Sequence, residues 1–344
     1  MPWQRAVVAK MAVFSGNLLT PDPGELISDE PTSENAIAGR TLRSLAWSRL
    51  KQDKLALAGG VFIVVLLVLA TLAAPITHLL GVSPNGFNSN LISGDTSLPF
   101  GSWGGMSWHH LLGLEPTNGR DTLARILYGA QVSLFIAITA TFISMILGVG
   151  FGILAGYKGG WIDAVIARSM DVLLAFPVLL FSIALLAIFQ NVPSAFGLSG
   201  TALRLTLLIT IIGFFGWAYI GRVIRGQVIS LREKEFVDAA RSLGAKDRRI
   251  LVRELLPSLA APMLIYATLT IPTNILYEAA LSFLGVGMQP PTASWGQMLS
   301  DATHTFEIDP VYMLVPGLAI FFTVLAFNLF GDGLRDALDP KSSR

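Results

Sequence analysis

Residues 126–157 read ILYGAQVSLFIAITATFISMILGVGFGILAGY, and none of them is Asp, Glu, Lys or Arg. An α-helix needs about 20 predominantly apolar residues to cross the hydrocarbon core of a bilayer. This stretch is longer than that, so we expect a membrane-spanning helix that is tilted or that extends beyond the bilayer.

Five further apolar stretches lie on either side, at residues 55–74, 172–189, 205–221, 257–281 and 311–331. Together the six predict an all-α polytopic membrane protein with six transmembrane helices. Residues 279–300 are also uncharged, but Gly285, Gly287 and the Pro290-Pro291 pair interrupt a helix there. We expect this segment to be irregular and to lie at the membrane face, where protein or water surrounds its backbone.

The composition excludes several classes of protein. Of the 344 residues, 53% are hydrophobic and only 14% are charged, whereas a soluble domain carries about 25% charged residues. A net charge of +1 gives no basic excess for nucleic acid, and the absence of Cys excludes thiolate metal sites and a Cys nucleophile. No G-x-x-x-x-G-K-[ST] motif occurs, so we expect no P-loop for ATP. We also predict no catalytic residue and no cofactor bound by this chain.

The Lys and Arg residues are unevenly placed along the chain. Nine of the 24 lie between the fourth and fifth apolar stretches, and seven precede the first. Cytoplasmic loops carry an excess of Lys and Arg. With both termini in the cytoplasm, 21 of the 24 fall on the cytoplasmic side, so we predict that orientation.

The chain divides into five predicted segments. Residues 1–40 form a flexible cytoplasmic extension, because 20–34 hold three Pro and five acids and cannot bury a core. Residues 41–76 hold the first transmembrane helix and 77–119 an external loop. Residues 120–335 form a core of five transmembrane helices with a cytoplasmic loop at about 222–256, and 336–344 form a cytoplasmic tail.

The most informative part of that loop reads KEFVDAARSLGAKDRRILVRELLP, residues 234–257. Phe236, Ala239, Ala240 and Leu243 follow a helical spacing, and Gly244 is a residue that readily ends a helix. A second apolar stripe begins at Ile250. The pattern predicts a helix–turn–helix with small side chains that let a partner approach closely; the alternative is a solvated basic loop.

This loop resembles the EAA motif of the membrane subunits of bacterial ATP-binding-cassette (ABC) importers. Asp238-Ala239-Ala240, Gly244 and Leu256-Pro257 match the pattern E-A-A-x3-G-x9-I-x-L-P, except that Asp238 replaces Glu and Glu254 replaces Ile. Three other segments, 47–62, 119–134 and 277–299, resemble the C-type permease subunit of dipeptide and oligopeptide importers. The resemblance covers roughly residues 41–335.

The resemblance implies a type I importer permease of the bacterial inner membrane. It implies a heterodimer with a homologous permease, two ABC ATPase subunits that hold ATP and Mg²⁺, and an extracytoplasmic substrate-binding protein. The residues that would couple this chain to an ATPase are Asp238, Ala239, Ala240, Leu243, Gly244 and Pro257. Two alternatives stay open: an importer of nickel or another small solute on the same scaffold, and a stand-alone channel or secondary transporter.

Other residues have both a functional and a structural interpretation. Gly148, Gly152 and Gly156 line one helix face, for packing within the chain or against a partner permease. Asn274, Tyr277 and Glu278 are translocation-path candidates, since Glu278 either attracts the amine of a peptide or bonds the broken backbone that follows. Asp171 is expected to pair with Arg168, three residues earlier.

The acidic and histidine residues of the outer loops have a metal-binding alternative. Asp301, His304, Glu307 and Asp309 resemble a spaced ligand set, and His109 and His110 lie side by side. Solvated side chains are the commoner explanation for such residues on a loop, so we predict no metal site.

Overall fold

The computed structural model describes residues 42–338, with side chains from residue 47 onward. The predicted extension at 1–40 and residues 339–344 of the predicted tail lie outside the described part. Within 42–338 the chain is mostly helical, as predicted; the strands found there are a two-residue antiparallel pair, β1 (Ser194–Ala195) and β2 (Leu198–Ser199).

We number the helices in chain order. They are α1 (Leu42–Gln52), α2 (Lys54–Thr71), α3 (Ala73–Leu80), α4 (Thr122–Lys158), α5 (Gly160–Ala175), α6 (Val178–Gln190), α7 (Gly200–Arg232), α8 (Glu235–Ser242), α9 (Asp247–Ser258), α10 (Ala260–Phe283), α11 (Trp295–Ala302) and α12 (Pro310–Leu338). The middle of α9, Ile250–Leu255, is π-helical. A single 3₁₀ turn, Ser89–Leu91, lies in the long segment between α3 and α4.

Four helices in the described range are long and apolar enough to cross a membrane, namely α2, α4, α7 and α12. Two bent pairs, α5 with α6 and α9 with α10, make six if each pair counts as one span. The six-helix count therefore stays a prediction. At 37 residues and about 1.5 Å per residue, α4 is roughly 55 Å long and exceeds the hydrocarbon thickness, as expected for residues 126–157.

The apolar stretch at residues 172–189 contains a sharp bend, so its assignment as one span stays a prediction. The chain bends by 77° between α5 and α6. Pro177 has no backbone N–H to donate, and the residue before a proline is driven out of the helical region, as Phe176 is with φ −79° and ψ 135°.

The segment after α10 is irregular only in part. Residues 284–294 form turns, as predicted, but α11 occupies Trp295–Ala302, where the sequence led us to expect irregular backbone. Ser294 starts this helix, because its Oγ accepts a hydrogen bond from the Gln297 backbone N–H at 3.2 Å. Trp295 is completely buried, and its indole N–H donates to the Ile126 carbonyl at 3.2 Å. The segment is thus packed on α4.

Helices α4 and α7 form the centre of the fold. The buried face of α7 includes Ile220, Ile224 and Val228, and all three belong to one apolar cluster with Tyr157 of α4. The outer faces of α2 and α5 remain exposed, with Val64 60% and Trp161 75% accessible. In a bilayer such apolar faces contact lipid, so their exposure is consistent with a membrane protein.

Candidate coupling segment, apolar groove and charge network

The three spaced glycines bring α4 against α7 within this chain. A Cβ added at Gly148 would lie 2.8 Å from Ile220 Cβ, and one at Gly152 would lie 2.8 Å from the Gly221 carbonyl oxygen. At Gly156 the added carbon would lie 2.8 Å from Val228 Cβ. Side chains at these positions would separate the two backbones, so the glycines set the distance between α4 and α7.

The helix–turn–helix predicted for residues 234–257 is confirmed by α8 and α9. Gly244 lies between them with φ +77°, a conformation that L-residues with a Cβ rarely adopt. Leu243 N–H donates to the Ala239 carbonyl at 3.0 Å and Gly244 N–H to the Arg241 carbonyl at 2.9 Å, which closes the end of α8.

Helix α8 is anchored through Val237, which is fully buried in the cluster formed with Ile224 and Ile250. Ala240, one of the residues that match the EAA motif, is partly buried and packs against the same cluster. Asp238, Ala239 and Gly244 are exposed, and Leu243, on the turn after α8, is 88% accessible.

The turn after α8 is fixed to the end of α4. Tyr157 Oη donates to Asp247 Oδ1 at 2.9 Å, and Lys158 Nζ donates to Asp247 Oδ2 at 2.6 Å. The guanidinium of Arg241 lies 5.7 Å from the centre of the Tyr157 ring. These contacts connect the start of α9 and the end of α8 to α4, so a displacement of α8 would be transmitted to the long helix.

Two ion pairs join α5 to α7 near the same end. Two guanidinium nitrogens of Arg225 donate to the two carboxylate oxygens of Asp163, with Nη2 2.6 Å from Oδ2. Arg222 pairs with Asp171. The expected pair between Arg168 and Asp171 is therefore wrong. The i, i+3 spacing allows that contact, but α7 places Arg222 closer to the carboxylate.

An apolar groove of about 990 Å³ lies between α4 and the bent pair α9–α10. Its lining is almost wholly apolar and includes Phe142, Ile146, Pro257, Met263 and Leu264. Phe142 is 65% and Leu264 54% accessible.

The three path candidates are grouped on α10 but face the interior of the chain. Glu278 is fully buried, and its carboxylate accepts hydrogen bonds from Ser133 Oγ at 2.8 Å and from Ser282 Oγ at 2.7 Å. Asn274 is 5% accessible and donates to Thr141 Oγ1 at 2.8 Å. Their contact with a transported solute stays a prediction.

Tyr277, the third candidate, is partly buried, and its hydroxyl lies 3.1 Å from Ser182 Oγ on α6. Ser282 Oγ in turn accepts from the Met288 N–H at 3.0 Å. The polar groups of α10 thus hold the turns that follow it and connect them to α4 and α6.

The sequence did not reveal a charge network at the other end of α4. Arg120 holds the Glu115 carboxylate with two hydrogen bonds, one of them 2.6 Å long, and Arg125 Nη2 donates to Gln297 Oε1 at 2.6 Å. Asp301 accepts from Gln297 and lies 3.6 Å from Arg120. Burial and the neighbouring Glu115 carboxylate raise the pKa of Asp301 above its usual range. The pairing of an Arg with an acid nearly 200 residues away leaves no local sequence pattern.

The described residues hold no group of three His, Asp or Glu side chains arranged to bind a metal ion. His110 Nδ1 lies 2.8 Å from Asp121 Oδ2 and is engaged there. Asp309 is buried and accepts from the Val311 N–H at 3.3 Å, at the start of α12.

The long apolar helices are those of an integral membrane protein. Residues 148–344 match the family of binding-protein-dependent transport system inner membrane components, and residues 41–89 match the N-terminal transmembrane domain of oligopeptide transport permease C. The first match covers more than half of the chain, so the chain belongs to that family.

Curated relatives agree with this assignment. A dipeptide transport system permease protein, DppC, from Alkalihalophilus pseudofirmus is 38% identical over 324 residues, which are 94% of this chain and 96% of that protein. A glutathione transport system permease protein, GsiD, from Escherichia coli is 39% identical over 295 residues, 86% of this chain and 89% of that protein.

Among solved structures, inward-facing forms of the MetNI methionine ABC transporter align with a TM-score of 0.49 and 18% identity, covering 62% of this chain and 96% of the aligned chain. The family assignment rests on the sequence matches. The chain is thus a non-catalytic, multi-pass inner-membrane subunit of an ABC importer, in which separate subunits hydrolyse ATP.

Proposed function

We propose that this chain forms, with a homologous permease, the membrane path of an ABC importer for di- and oligopeptides. The observation that carries the proposal is the hairpin α8–α9, whose Asp238, Ala239 and Gly244 are exposed while Val237 and Asp247 fix it to α7 and α4. Relatives named for dipeptide and for glutathione transport support a small peptide as the solute.

In this proposal α8 docks on an ATPase subunit, and the closure of two such subunits on ATP moves it. Val237 and the Asp247 contacts carry that motion to α7 and to the end of α4. Because α4 and α7 are in close contact along three glycines, they move as one body and change which side of the membrane the path opens to. A binding protein delivers the peptide from outside.

The groove between α4 and α9–α10 is the proposed contact site of the partner permease. The path for the solute would then lie between the two subunits. Its apolar lining is exposed in the single chain and suits either lipid or a second protein surface. We propose the six-helix topology with both termini cytoplasmic, and segments at 41–76, 77–119, 120–335 and 336–344. Asn274, Tyr277 and Glu278 would face the path only after α10 moves.

Co-purification and reconstitution test the proposal. We expect this chain to copurify with a second permease and an ATPase, and to import labelled dipeptides in proteoliposomes only with ATP and a binding protein. Capture of neither partner, or uptake that is independent of ATP, would favour a stand-alone channel or secondary transporter. Uptake of Ni²⁺ in place of peptides would assign the nickel alternative.

The variant Gly244→Asp tests the coupling role. An Asp at this position must adopt the backbone angle φ +77°, which is strained for a residue with a Cβ and distorts the turn between α8 and α9. We therefore expect the subunit to insert normally and uptake to be lost. Gly226→Ala is the matched control, because nothing lies within 4 Å of a Cβ at that position. Normal uptake by Gly244→Asp with the ATPase bound would contradict the coupling role.

A further inference from the structure

A second groove, of about 610 Å³, lies among α4, α5 and α7, and we call it the α5 groove. Its apolar lining includes Phe151 of α4, Val172 of α5, and Phe214 and Trp217 of α7. The rings of Phe151 and Trp217 are in contact, with their centres 5.0 Å apart. None of the residues that line the α5 groove lines the groove between α4 and α9–α10, so the two are separate features.

The α5 groove opens on the surface of the chain. Val172 is 59% and Phe214 47% accessible, and Val165, two turns before Val172 on the same helix, is 57% accessible. In an integral membrane protein an exposed apolar surface of this kind contacts the lipid chains. The α5 groove is therefore a recess into which a lipid chain fits.

The α5 groove crosses the boundary between the charged and the uncharged parts of its helices. On α7 the uncharged stretch 205–221 ends at Arg222, and on α5 the uncharged stretch 172–189 begins directly after Asp171. The apolar residues of the groove belong to uncharged stretches, whereas Arg168, which also lines it, lies on the charged side. A phospholipid has the same division, with apolar chains on one side and a charged phosphate on the other.

Arg168 is the positive charge that remains after the acids of α5 are paired. These acids, Asp163 and Asp171, bind Arg225 and Arg222 of α7. Arg168 is exposed, and no carboxylate among residues 47–338 forms an ion pair with it. Its guanidinium thus offers its fork of N–H donors to an anion, and a phosphate accepts such a fork through two oxygens.

We propose that the α5 groove binds an anionic phospholipid, with the phosphate on Arg168 and an acyl chain against Phe151, Phe214 and Trp217. Basic pockets between transmembrane helices on the cytoplasmic side recognise anionic headgroups in this way. Arg168 lies toward the end of the fold that carries the hairpin α8–α9, so the lipid belongs to the cytoplasmic leaflet in the proposed topology. The inference goes beyond the proposed function, because neither the transported solute nor the ATPase takes part in it.

The test titrates dioleoylphosphatidylglycerol into the full-length chain, purified with the subunits that copurify with it, and measures the Kd by native mass spectrometry. We expect binding about fivefold tighter than that of dioleoylphosphatidylcholine, whose ammonium group is repelled by Arg168. Arg168→Gln should raise the Kd for phosphatidylglycerol about tenfold, because a charge-assisted hydrogen bond is lost. Arg204→Gln removes the same charge at the other end of the uncharged stretch of α7, outside the groove, and should leave the Kd unchanged.

A second pair of variants tests the acyl chain. Val172→Trp fills the groove and keeps Arg168, so it should also raise the Kd for phosphatidylglycerol about tenfold. Val165→Trp is the matched control, since Val165 is about as exposed as Val172 but lies outside the groove. Glycerol 3-phosphate, which has a phosphate and no acyl chain, should not displace the lipid. Melting temperatures report whether the four variants fold.

Several results would overturn the lipid site. Equal Kd values within either pair of variants would do so, and so would displacement of the lipid by glycerol 3-phosphate. Binding to the isolated chain but not to the assembled complex would assign the groove to a partner subunit. A raised KM for peptide uptake in Arg168→Gln, with unchanged lipid binding, would assign Arg168 to the solute. By contrast, a complex that binds phosphatidylglycerol as expected but imports no peptide would overturn the proposed function alone.

Discussion

At the scale of single residues, the absence of a side chain at three positions lets α4 pack closely against α7. Gly148, Gly152 and Gly156 are spaced by four, so they lie on one face of α4 and meet the backbone and β-branched side chains of α7. The neighbouring Gly150 points away, with nothing within 4 Å of an added Cβ. Two glycines two positions apart in one helix thus have opposite tolerance to substitution.

Gly152→Ala is expected to destabilise the chain by about 1–3 kcal/mol, because its Cβ would lie 2.8 Å from the Gly221 carbonyl oxygen and force the helices apart. Gly150→Ala should have no such effect. Thermal unfolding in detergent, followed by the loss of monodisperse protein, measures the difference. Equal melting temperatures for the two variants would show that α4 and α7 are less tightly packed than described.

At the scale of elements, α8 combines a firm base with an exposed outer side. A short helix of eight residues has little stability of its own, so its position depends on Val237 and on the contacts of Asp247 with α4. Asp238, Ala239 and Gly244 are exposed, so they are accessible to another subunit. In the proposed function, a helix anchored to α4 and α7 in this way passes its displacement on to both.

Leu243→Ala tests the exposed side of this element without disturbing the fold. The side chain is 88% accessible, so the subunit should fold normally, while ATP-dependent uptake falls about tenfold because an apolar contact with the ATPase is lost. Leu79→Ala is the control, since Leu79 is 85% accessible on α3, far along the chain. If both variants transport at the same rate as the wild type, Leu243 is not a contact residue.

At the scale of the whole molecule, the two ends of the long helices carry different chemistry. The hairpin α8–α9 and its basic residues lie at the C-terminal end of α4, and the network of Glu115, Arg120 and Asp301 lies at the N-terminal end. The apolar groove runs between these ends. In the proposed function, the end with the hairpin faces the ATPase and the other end faces the binding protein.

The orientation is testable because the chain has no Cys. Single Cys residues introduced at Leu243 and at Ile308, which are 88% and 72% accessible, should react differently with a membrane-impermeant maleimide. In intact cells we expect labelling at position 308 only, and at 243 only after permeabilisation. The reverse pattern would invert the predicted topology.

Because the chain has no Cys, cross-linking between introduced Cys residues can also test the groove. A Cys in place of Leu264 should cross-link to a Cys-substituted partner permease, because Leu264 lines the groove and is 54% accessible. Val165→Cys on α5, which is 57% accessible but lies outside the groove, is the control and should not cross-link. Cross-linking from position 165 alone would place the partner on the opposite face.

The sequence by itself determined that this is a helical membrane protein, and it located the helical hairpin α8–α9. Both follow from local properties: the transfer of apolar residues into lipid depends on composition along the chain, and a helix break depends on one residue such as Gly244. The match to the EAA pattern and the family matches likewise come from the order of residues along the chain.

Only the tertiary structure decided which distant residues meet. It paired Asp171 with Arg222 where the sequence suggested Arg168, bent the chain at Pro177, buried Glu278 against Ser133, and brought Asp301 to Arg120 across nearly 200 residues. The physical reason is that a helical spacing identifies neighbours within one helix only. Pairs between helices depend on how closely the helices pack, which the glycines of α4 set here.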